Sequence, residues 1–224
     1  MINEIHKLIR RPSAGWDPVP LDYAKTYSAR QFDTLELQLI SALEERLGGL
    51  KGREVLDLGA GPGQYSIAFS VRGAQVVHFD ISHNYQKICQ EQAALRGATH
   101  LSYRLGYLDD ADGILSSQFD LVFNRQCWYY CANDRAFSKT FFNLMKPGGL
   151  GYIETSNSNF GLNRKSHPPL LYHLYQLTGY KALHLHPPSG WVEAYLRKMP
   201  IDILDADYSN PEFDRLVFRR KMET

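Results

Sequence analysis

The sequence lacks the features that mark membrane, secreted or metal-binding proteins. No apolar run in its 224 residues approaches the ~20 residues that a membrane span needs. The first residues include Glu4 and His6 and form no continuous apolar stretch, so a secretory signal is not expected. Three cysteines, Cys89, Cys127 and Cys131, are odd in number and lack metal-ligand spacing. They predict reduced thiols in a cytoplasmic protein.

An excess of one charge is also lacking. The 25 Lys and Arg residues and 24 Asp and Glu residues give a formal net charge of +1. Composition therefore does not demand a nucleic-acid partner, although a local basic patch is compatible with it. Internal repeats and low-complexity segments are absent. The length suits one α/β domain with a sizeable core and is short for two independent domains.

A glycine-rich stretch organises the chain. Gly59, Gly61 and Gly63 follow an apolar segment at residues 55–58, which predicts a short buried strand. Residues 66–71 predict a helix after them. A strand, a glycine turn and a helix in this order are typical of a nucleotide-binding crevice in an open α/β sheet. Glycines let the backbone approach a ligand because no Cβ stands in the way.

Predicted strands and helices alternate along most of the chain. This alternation predicts a doubly wound parallel sheet with helices on both faces, closed by an antiparallel hairpin at its edge. The predicted strands are 55–58, 75–80, 101–105, 119–124, 150–155, 201–206 and 213–218, and the predicted helices are 21–50 for most of its length, 66–71, 82–96, 134–145, 170–177 and 191–197.

Asp80 ends the second predicted strand. Its distance from the first strand is near the ~20-residue offset expected of a carboxylate that binds ribose hydroxyls. The alternative is that Asp80 only caps the following helix. The glycine turn upstream favours the ribose interpretation.

Four segments resemble the class I S-adenosylmethionine-dependent methyltransferases of small-molecule type. Residues 55–63 resemble the first motif, 79–82 the second, 119–122 the fourth strand, and 144–149 the turn before the fifth strand. The resemblance covers roughly residues 51–156. It implies a Rossmann-like seven-stranded sheet in a single domain over residues 1–224. Residues 1–50 would be a helical lid, 51–156 the cofactor-binding core, and 157–224 the substrate-side helices and hairpin.

The resemblance also implies how S-adenosylmethionine would be held. The backbone of the glycine turn would face the methionine half, and the second motif would hold the ribose and the adenine. Asp57 would orient the turn or hydrogen-bond toward the cofactor's amino group. The implied residues are Asp57, Gly59, Ala60, Gly61, Asp80 and Ile81, with Asn124 and Arg125 through main chain.

Two parts of the predicted cofactor site leave alternatives open. After the third strand, the family places an acidic residue that accepts from the adenine amine, but here Tyr107 follows Gly106. We expect main chain at Leu108 instead, with Asp109 as the alternative. In the N-terminal lid, Tyr27 or Tyr23 would close the site. Arg30 would either pair with the methionine carboxylate or lie in solvent.

The acceptor side is predicted from two segments. After the fourth strand, Gln126, Trp128 and Tyr130 are expected to contact substrate, and Tyr129 to take part in catalysis, unless Trp128 and one tyrosine only fill the core. In the C-terminal third, His186 is the preferred general base among four histidines, because imidazole titrates near neutrality. Some ubiquinone-pathway members of the family carry carboxylates and a histidine after this strand. This chain has Gln126, Tyr129 and Tyr130 there, so no metal is expected.

We therefore expect methyl transfer to an oxygen or nitrogen of a small molecule, by a cytoplasmic monomer or homodimer. A nicotinamide-dependent oxidoreductase is disfavoured because Gln64 stands where its fingerprint needs a third glycine. A nucleic-acid methyltransferase is also disfavoured, because the Pro-Pro-aromatic motif of such enzymes is missing after Asn124. Methyl transfer to a protein stays open as an alternative. The last alternative is a non-catalytic partner subunit with the same fold, against which the intact glycines and Asp80 argue.

Overall fold

A seven-stranded mixed sheet forms the centre of the protein. The computed structural model describes residues 7–161, 169–178, 181 and 185–222. The strands stand in the order β3-β2-β1-β4-β5-β7-β6. Strand β7 runs antiparallel to both of its neighbours, and the other pairs are parallel. The predicted fold class is confirmed. The strands are β1 Glu54–Leu58, β2 Gln75–Asp80, β3 Leu101–Leu105, β4 Phe119–Arg125, β5 Met145–Ser156, β6 Ile201–Asp207 and β7 Phe213–Arg220.

Helices cover both faces of this sheet. Aromatic side chains such as Trp128 and Phe137 pack on one face, and Phe69 and Phe123 pack on the other. The ring of Phe123 stacks on Tyr152 with centroids 4.9 Å apart. The helices are α1 Leu21–Asp33, α2 Leu37–Leu47, α3 Gln64–Val71, α4 His83–Leu95, α5 Ala111–Ile114, α6 Asp134–Asn143, α7 Pro169–Thr178 and α8 Trp191–Leu196.

The long N-terminal helix predicted over residues 21–50 is two helices. Helix α1 ends at Asp33 and α2 begins at Leu37. At the break, the Thr34 hydroxyl donates to the carbonyl of Arg30 at 2.9 Å. Threonine competes for backbone carbonyls in this way, which favours helix ends over helix interiors. The linker at residues 34–36 brings Glu36 to the carboxyl end of the sheet, where it contacts Arg125 of β4.

The fifth strand is longer than predicted and includes Met145, the residue predicted to end the preceding helix. Met145 pairs with Phe119 of β4, and the Phe119 N–H donates to the carbonyl of Leu144 at 2.8 Å. A register irregularity between Phe119 and Leu121 accommodates the following Pro-Gly-Gly segment. Because the strand begins at Met145, α6 ends at Asn143 instead of residue 145.

In the part of the chain that the structure describes, the helices fall short of the length and apolarity that crossing a bilayer requires. The division into lid, core and substrate-side segment stays a prediction.

Parallel sheets of this type carry their sites at the carboxyl ends of the strands, where the chain reverses its strand order. Here that point lies between β1 and β4.

Candidate active site

The glycine turn after β1 has a backbone that requires glycine. Gly59, Gly61 and Gly63 have φ values of +78°, +54° and +83°, a region that side chains strongly disfavour. Space is also lacking at two of them. A Cβ on Gly59 would lie 2.2 Å from Cys127 Sγ, and one on Gly63 would lie 2.1 Å from Cys89 Sγ. The buried thiols of Cys127 and Cys89 therefore pack directly against the turn.

The end of β2 holds this turn in place. Asp80 Oδ2 accepts a hydrogen bond from the Gly61 N–H at 2.8 Å, and its Oδ1 accepts from the Ser82 N–H at 2.9 Å. His78 Nε2 lies 2.9 Å from the Gly61 carbonyl oxygen. Burial lowers the pKa of His78 and raises the pKa of Asp80, so His78 is the neutral imidazole that donates to this carbonyl. Strand β2 thus fixes both main-chain polar groups of Gly61.

The alternative role for Asp80 is to cap the helix that follows β2. The N-cap residue of that helix is Ser82. The Ser82 hydroxyl accepts from the Tyr85 N–H at 3.2 Å at the start of α4. Asp80 lies before this cap and faces the glycine turn. Its position therefore leaves it available to a ligand at the turn.

Asp57 joins β1 to the helix that follows the turn. Its Oδ2 accepts from the Ser66 hydroxyl at 2.6 Å. The carboxyl is 3% exposed, and burial raises its pKa to about 7. Of the two predicted roles, the geometry favours orientation of the turn.

The N-terminal segment is attached beside Asp80. Asp17 Oδ2 accepts from the Asn84 N–H at 2.8 Å and from the Ser82 hydroxyl at 3.1 Å. Trp16 stacks on Tyr107 with ring centroids 6.3 Å apart. Residues before α1 therefore line the edge of the site at the ends of β2 and β3.

The predicted lid tyrosine is half-buried in a small aromatic group. Tyr27 stacks on Tyr23 at 5.8 Å between centroids and contacts Tyr85 at 5.9 Å. Burial raises the pKa of Tyr27 to about 12, so the phenol stays neutral. Arg30 is exposed, and its guanidinium lies 5.8 Å from the centre of the Tyr27 ring. Pairing of Arg30 with a carboxylate stays a prediction.

The loop after β3 separates the two candidates for the adenine contact. Both carboxylate oxygens of Asp109 lie at 3.0–3.1 Å from the Ala132 N–H, which donates to them. Asp109 therefore ties this loop to the segment after β4. Leu108 Cδ2 lies 3.4 Å from the position of a Cβ on Gly59, directly against the glycine turn. The main-chain contact of Leu108 with adenine stays a prediction.

The end of β4 is bonded to the end of β1. Asn124 Nδ2 donates to the Leu58 carbonyl at 2.9 Å, and Cys127 Sγ lies 3.3 Å from the same oxygen. Asn124 is fully buried, and its Oδ1 has no hydrogen-bond partner. Gln126, between them, is the one non-glycine residue with positive φ, +59°, in the described part of the chain. Such strain is typical of functional sites.

Arg125 and Gln126 turn their side chains to the fifth strand. Gln126 Nε2 donates to Glu154 Oε1 at 2.7 Å, and Arg125 Nε lies 3.1 Å from the same oxygen. A cavity of about 470 Å³ lies on this side, lined in part by Arg125, Gln126, Glu154, Phe213 and Arg215.

A row of aromatic rings runs from the segment after β4 to the start of β7. His186 stacks between Tyr129, at 4.3 Å, and Phe160, at 5.6 Å, and Phe160 meets Phe213 edge-on at 5.1 Å. Tyr130 contacts Tyr129 at the outer end, with centroids 4.4 Å apart. The row brings together the predicted catalytic residues His186 and Tyr129.

His186 is held within this row by a serine at the end of β5. Its Nδ1 lies 2.6 Å from the Ser156 hydroxyl oxygen, and the side chain is 6% exposed. Burial raises the pKa of Tyr129 far above its ordinary value. The Tyr129 phenol therefore stays protonated and cannot serve as a base near neutral pH.

Comparison with known proteins matches this architecture. A family model described as "Methyltransferase domain" matches residues 56–153. Residues 56–153 form a methyltransferase domain. The match contains the glycine turn, Asp80 and strand β4, so the resemblance to class I S-adenosylmethionine-dependent methyltransferases is confirmed.

Relatives of this methyltransferase domain include ubiquinone biosynthesis O-methyltransferases. The enzyme of Leptothrix cholodnii is 28% identical over 70% of this chain and 63% of its own length. That of Acinetobacter baumannii is 27% identical over 70% of this chain and 64% of its own length. The chain thus spans less than two thirds of the length of these curated relatives.

Solved structures share the fold. A methyltransferase from Aquifex aeolicus described as dependent on S-adenosylmethionine superposes with a TM-score of 0.62 and 15% identity, over 90% of this chain and 98% of that one. One from Mesorhizobium loti gives 0.59 and 18%, over 80% and 96%. At this identity the likeness concerns the fold alone.

The residues of the methyltransferase domain fit the cofactor that the family implies. A Cβ on Gly61 would meet nothing within 4 Å, so the glycine backbone is open there to the close approach of a ligand. The orphaned Oδ1 of Asn124 and the free lone pairs of Asp80 are acceptors at the adjoining strand ends. Adenosine hydroxyls and an ammonium group are donors that suit them.

Of the two alternatives predicted for Trp128, contact with substrate is wrong, and filling of the core agrees with the structure. Trp128 is fully buried, and its ring packs on Phe137 with centroids 4.6 Å apart. Its Nε1 donates to Asp134 Oδ1 at 3.0 Å, inside a buried cluster that includes Lys181 and Tyr175. The polar edge and the apolar ring are both satisfied in the core, so Trp128 supports the wall of the site without touching an acceptor.

Several functional positions were missed in the sequence, and others cannot be compared. Ser66, His78 and Asp17 hold the turn and the N-terminal segment, but isolated polar residues gave no spacing that linked them. Ile81 is partly buried after Asp80, and its adenine contact stays a prediction. His167, His184 and the side chain of His173 lie outside the described residues.

Proposed function

We propose that this chain transfers a methyl group from S-adenosylmethionine to an oxygen of a small-molecule acceptor. The observation that carries the proposal is the glycine turn whose Gly61 N–H is bound by Asp80, within a segment matched by a methyltransferase family model. The choice of oxygen rests on the relatives named O-methyltransferase.

The cofactor is proposed to lie across the ends of β1, β2 and β4. Gly59, Ala60 and Gly61 would face its methionine half through main chain, and Asp80 would accept from the ribose hydroxyls. Leu108 and Ile81 would border the adenine. When bound, the sulfonium supplies an electrophilic methyl group, so positioning of the nucleophile accounts for much of the rate. Tyr27 would cover the site and exclude water.

The acceptor is proposed to lie against the aromatic row. Flat rings favour a planar acceptor, because offset stacking and apolar burial both stabilise it. Tyr129 stays protonated, so we assign it to positioning. His186 would take the hydroxyl proton at Nε2, provided that its Nδ1–H donates to the Ser156 hydroxyl. That hydrogen bond, with an Nδ1 to Oγ distance of 2.6 Å, would fix the ring and the tautomer.

The setting of the reaction is proposed from the sequence. A net charge of +1 gives no general attraction to nucleic acid, so a small-molecule acceptor is preferred. We propose a cytoplasmic protein that acts as a monomer or homodimer without a metal ion.

The proposal is tested by transfer of labelled methyl groups. Purified protein and labelled S-adenosylmethionine are incubated with phenols and catechols, with matched aromatic amines, and with RNA. We expect label in at least one hydroxylated small molecule and less in its amine counterpart. Label found only in amines or RNA would contradict the proposed acceptor class. S-adenosylhomocysteine binding without transfer to any acceptor would favour a non-catalytic subunit.

A further inference from the structure

Three charged side chains stand next to one another at the ends of β4, β5 and β7. Arg125, Glu154 and Arg215 are register partners on adjacent strands. Glu154 Oε1 lies 3.1 Å from Arg125 Nε, and its Oε2 accepts from Arg215 Nε at 2.7 Å. Glu154 is 2% exposed. One carboxylate therefore lies between two guanidinium groups, which leaves one positive charge uncompensated within the triad.

The buried carboxylate of this triad has little capacity for another donor. Besides the hydrogen bond from Arg215, Glu154 accepts from Gln126 Nε2 at 2.7 Å and from the Tyr152 hydroxyl at 3.0 Å. Burial alone would raise the pKa of Glu154, but Arg125 and the other donors hold it below its ordinary value. Glu154 is thus ionised and accepts three hydrogen bonds. The outer nitrogens, Nη2 of Arg125 and Nη2 of Arg215, contact a different carboxylate.

A second carboxylate already bridges those outer nitrogens. Glu36 Oε1 contacts Arg125 Nη2, and its Oε2 lies 3.5 Å from Arg215 Nη2. Glu36 belongs to the linker between α1 and α2, and its side chain is 38% exposed. The two arginines therefore have the spacing to bind one carboxylate between them, and the present occupant comes from an exposed linker.

The arginines also line the cavity of about 470 Å³. This volume lies in the range typical of small-molecule sites, roughly 300–1,000 Å³. Phe213, at the end of the aromatic row, forms part of the lining. Asp207 also lines the cavity and is exposed, and its Oδ1 accepts from the Ser209 N–H at 2.8 Å.

The cavity is close to the glycine turn. Gln126 lines it, and the next residue, Cys127, places its Sγ directly against Gly59. The segment at residues 126–127 therefore connects the lining of the cavity with the glycine turn. Cationic and aromatic groups thus surround one space beside the proposed position of the methyl donor.

We propose that this cavity binds the methyl acceptor and that Arg125 and Arg215 bind a carboxylate of that acceptor in place of Glu36. The acceptor class is then a hydroxylated aromatic acid. Arginine forks match carboxylates in geometry and charge, and the contact with Glu36 demonstrates this match within the chain. The inference rests on the proposed function and specifies its substrate.

Displacement of Glu36 would also release the linker between α1 and α2. Helix α1 carries Tyr27, the residue proposed to cover the cofactor. Binding of the acceptor acid would thereby act on the same helix that closes the site. A neutral acceptor would leave Glu36 in place and would gain no such contact.

The test is calorimetric titration of the full chain saturated with S-adenosylhomocysteine. The probes are benzoate, salicylate, 3,4-dihydroxybenzoate and 3,4-dihydroxycinnamate, each beside its uncharged carboxamide. We expect at least one acid to bind tenfold or more tightly than its amide. Arg215→Gln should abolish that preference. Arg219→Gln, on the same strand but bonded to the carbonyls of Gly148 and Arg46, should retain it.

Glu36→Gln is a second variant, and its expected gain in affinity could not result from loss of folding. It removes the competing carboxylate, so acid binding should become several-fold tighter while amide binding stays the same. Equal affinity for acids and amides, absence of binding by every acid, or weaker acid binding by Glu36→Gln would overturn the carboxylate site. Failure of S-adenosylhomocysteine itself to bind would instead count against the proposed function.

Discussion

The Oδ2 atom of Asp80 lies 2.8 Å from the main-chain nitrogen of Gly61. This contact connects the end of β2 with the glycine turn after β1, and His78 holds the carbonyl of the same glycine. The two groups on which cofactor recognition is proposed to depend are thereby fixed relative to each other before a ligand binds. Preorganisation of this kind reduces the free-energy cost of binding.

Replacement of Asp80 by asparagine tests its role toward ribose. Asp80→Asn keeps the size of the side chain but loses the negative charge. A hydrogen bond to a charged group contributes about 1.5–3 kcal/mol, so affinity for S-adenosylhomocysteine should fall by roughly 10-fold or more. Titration calorimetry measures the change.

Asp120→Asn is the matched control for that measurement. Asp120 lies at the opposite end of its strand and pairs with Lys146 at 2.9 Å, so its replacement should leave cofactor affinity unchanged. An Asp80→Asn variant with the dissociation constant of the original protein would show that Asp80 serves only the turn.

Two glycine substitutions separate backbone strain from steric overlap. Gly97 and Gly63 both have positive φ, but a Cβ on Gly97 would meet nothing within 4 Å. Gly97→Ala should cost about 1–2 kcal/mol for the left-handed backbone. Gly63→Ala should cost about 1–3 kcal/mol more, because its Cβ would overlap Cys89 Sγ. Urea denaturation measures both, and equal losses would contradict the packing described for the turn.

The elevated pKa of Asp57 predicts a pH dependence of stability. The pKa is about 7 in the folded protein against an ordinary value of 3.8, so the folded state retains a proton that the unfolded state releases. The resulting stabilisation is fully present below about pH 4 and is lost as the pH rises through about 7.

Asp57→Asn isolates this effect, because an amide does not titrate. Between about pH 5 and about pH 8, the free energy of unfolding of the original protein should fall relative to Asp57→Asn by on the order of 1–3 kcal/mol. Urea denaturation at both pH values gives the double difference. A rise, or no change, would mean that Asp57 is ionised throughout.

Much of the sheet could be predicted from the sequence because each strand is short, apolar and followed by a turn signal. Predicted strand 75–80 coincides with β2, and 101–105 with β3. The glycine turn is equally clear, since its three glycines all have positive φ, and at Gly59 and Gly63 a Cβ would also overlap a buried thiol. These features are local, and local chemistry is visible in a linear sequence.

Features that depend on distant residues could not be predicted. The sequence leaves open whether Trp128 contacts substrate or fills the core, because its partner Asp134 and the packing of Phe137 decide the question. Asp17 reaches Ser82 and Asn84 across more than 60 positions. Glu36 reaches the arginines from the linker between α1 and α2, far from them in sequence. Such pairings are set by tertiary structure and leave no periodic signal.

A buried ion pair joins Lys181, which lies between α7 and α8, to Asp134 at the start of α6. Lys181 Nζ lies 2.8 Å from Asp134 Oδ1, and both side chains are 1% exposed. Lys181→Met would leave the buried Asp134 without its cation, which should destabilise the protein by about 3–5 kcal/mol. Lys146→Met breaks a pair in which the lysine is 34% exposed and should cost less than about 1 kcal/mol. Similar losses in urea denaturation would contradict the assigned burial.

Binding of S-adenosylhomocysteine to the full chain, measured by titration calorimetry, tests most directly the proposed cofactor site, on which methyl transfer depends. The account predicts a single site per chain, with a melting temperature that rises with ligand concentration because the ligand stabilises the native state. Absence of binding heat and of any thermal shift at millimolar ligand would contradict the account.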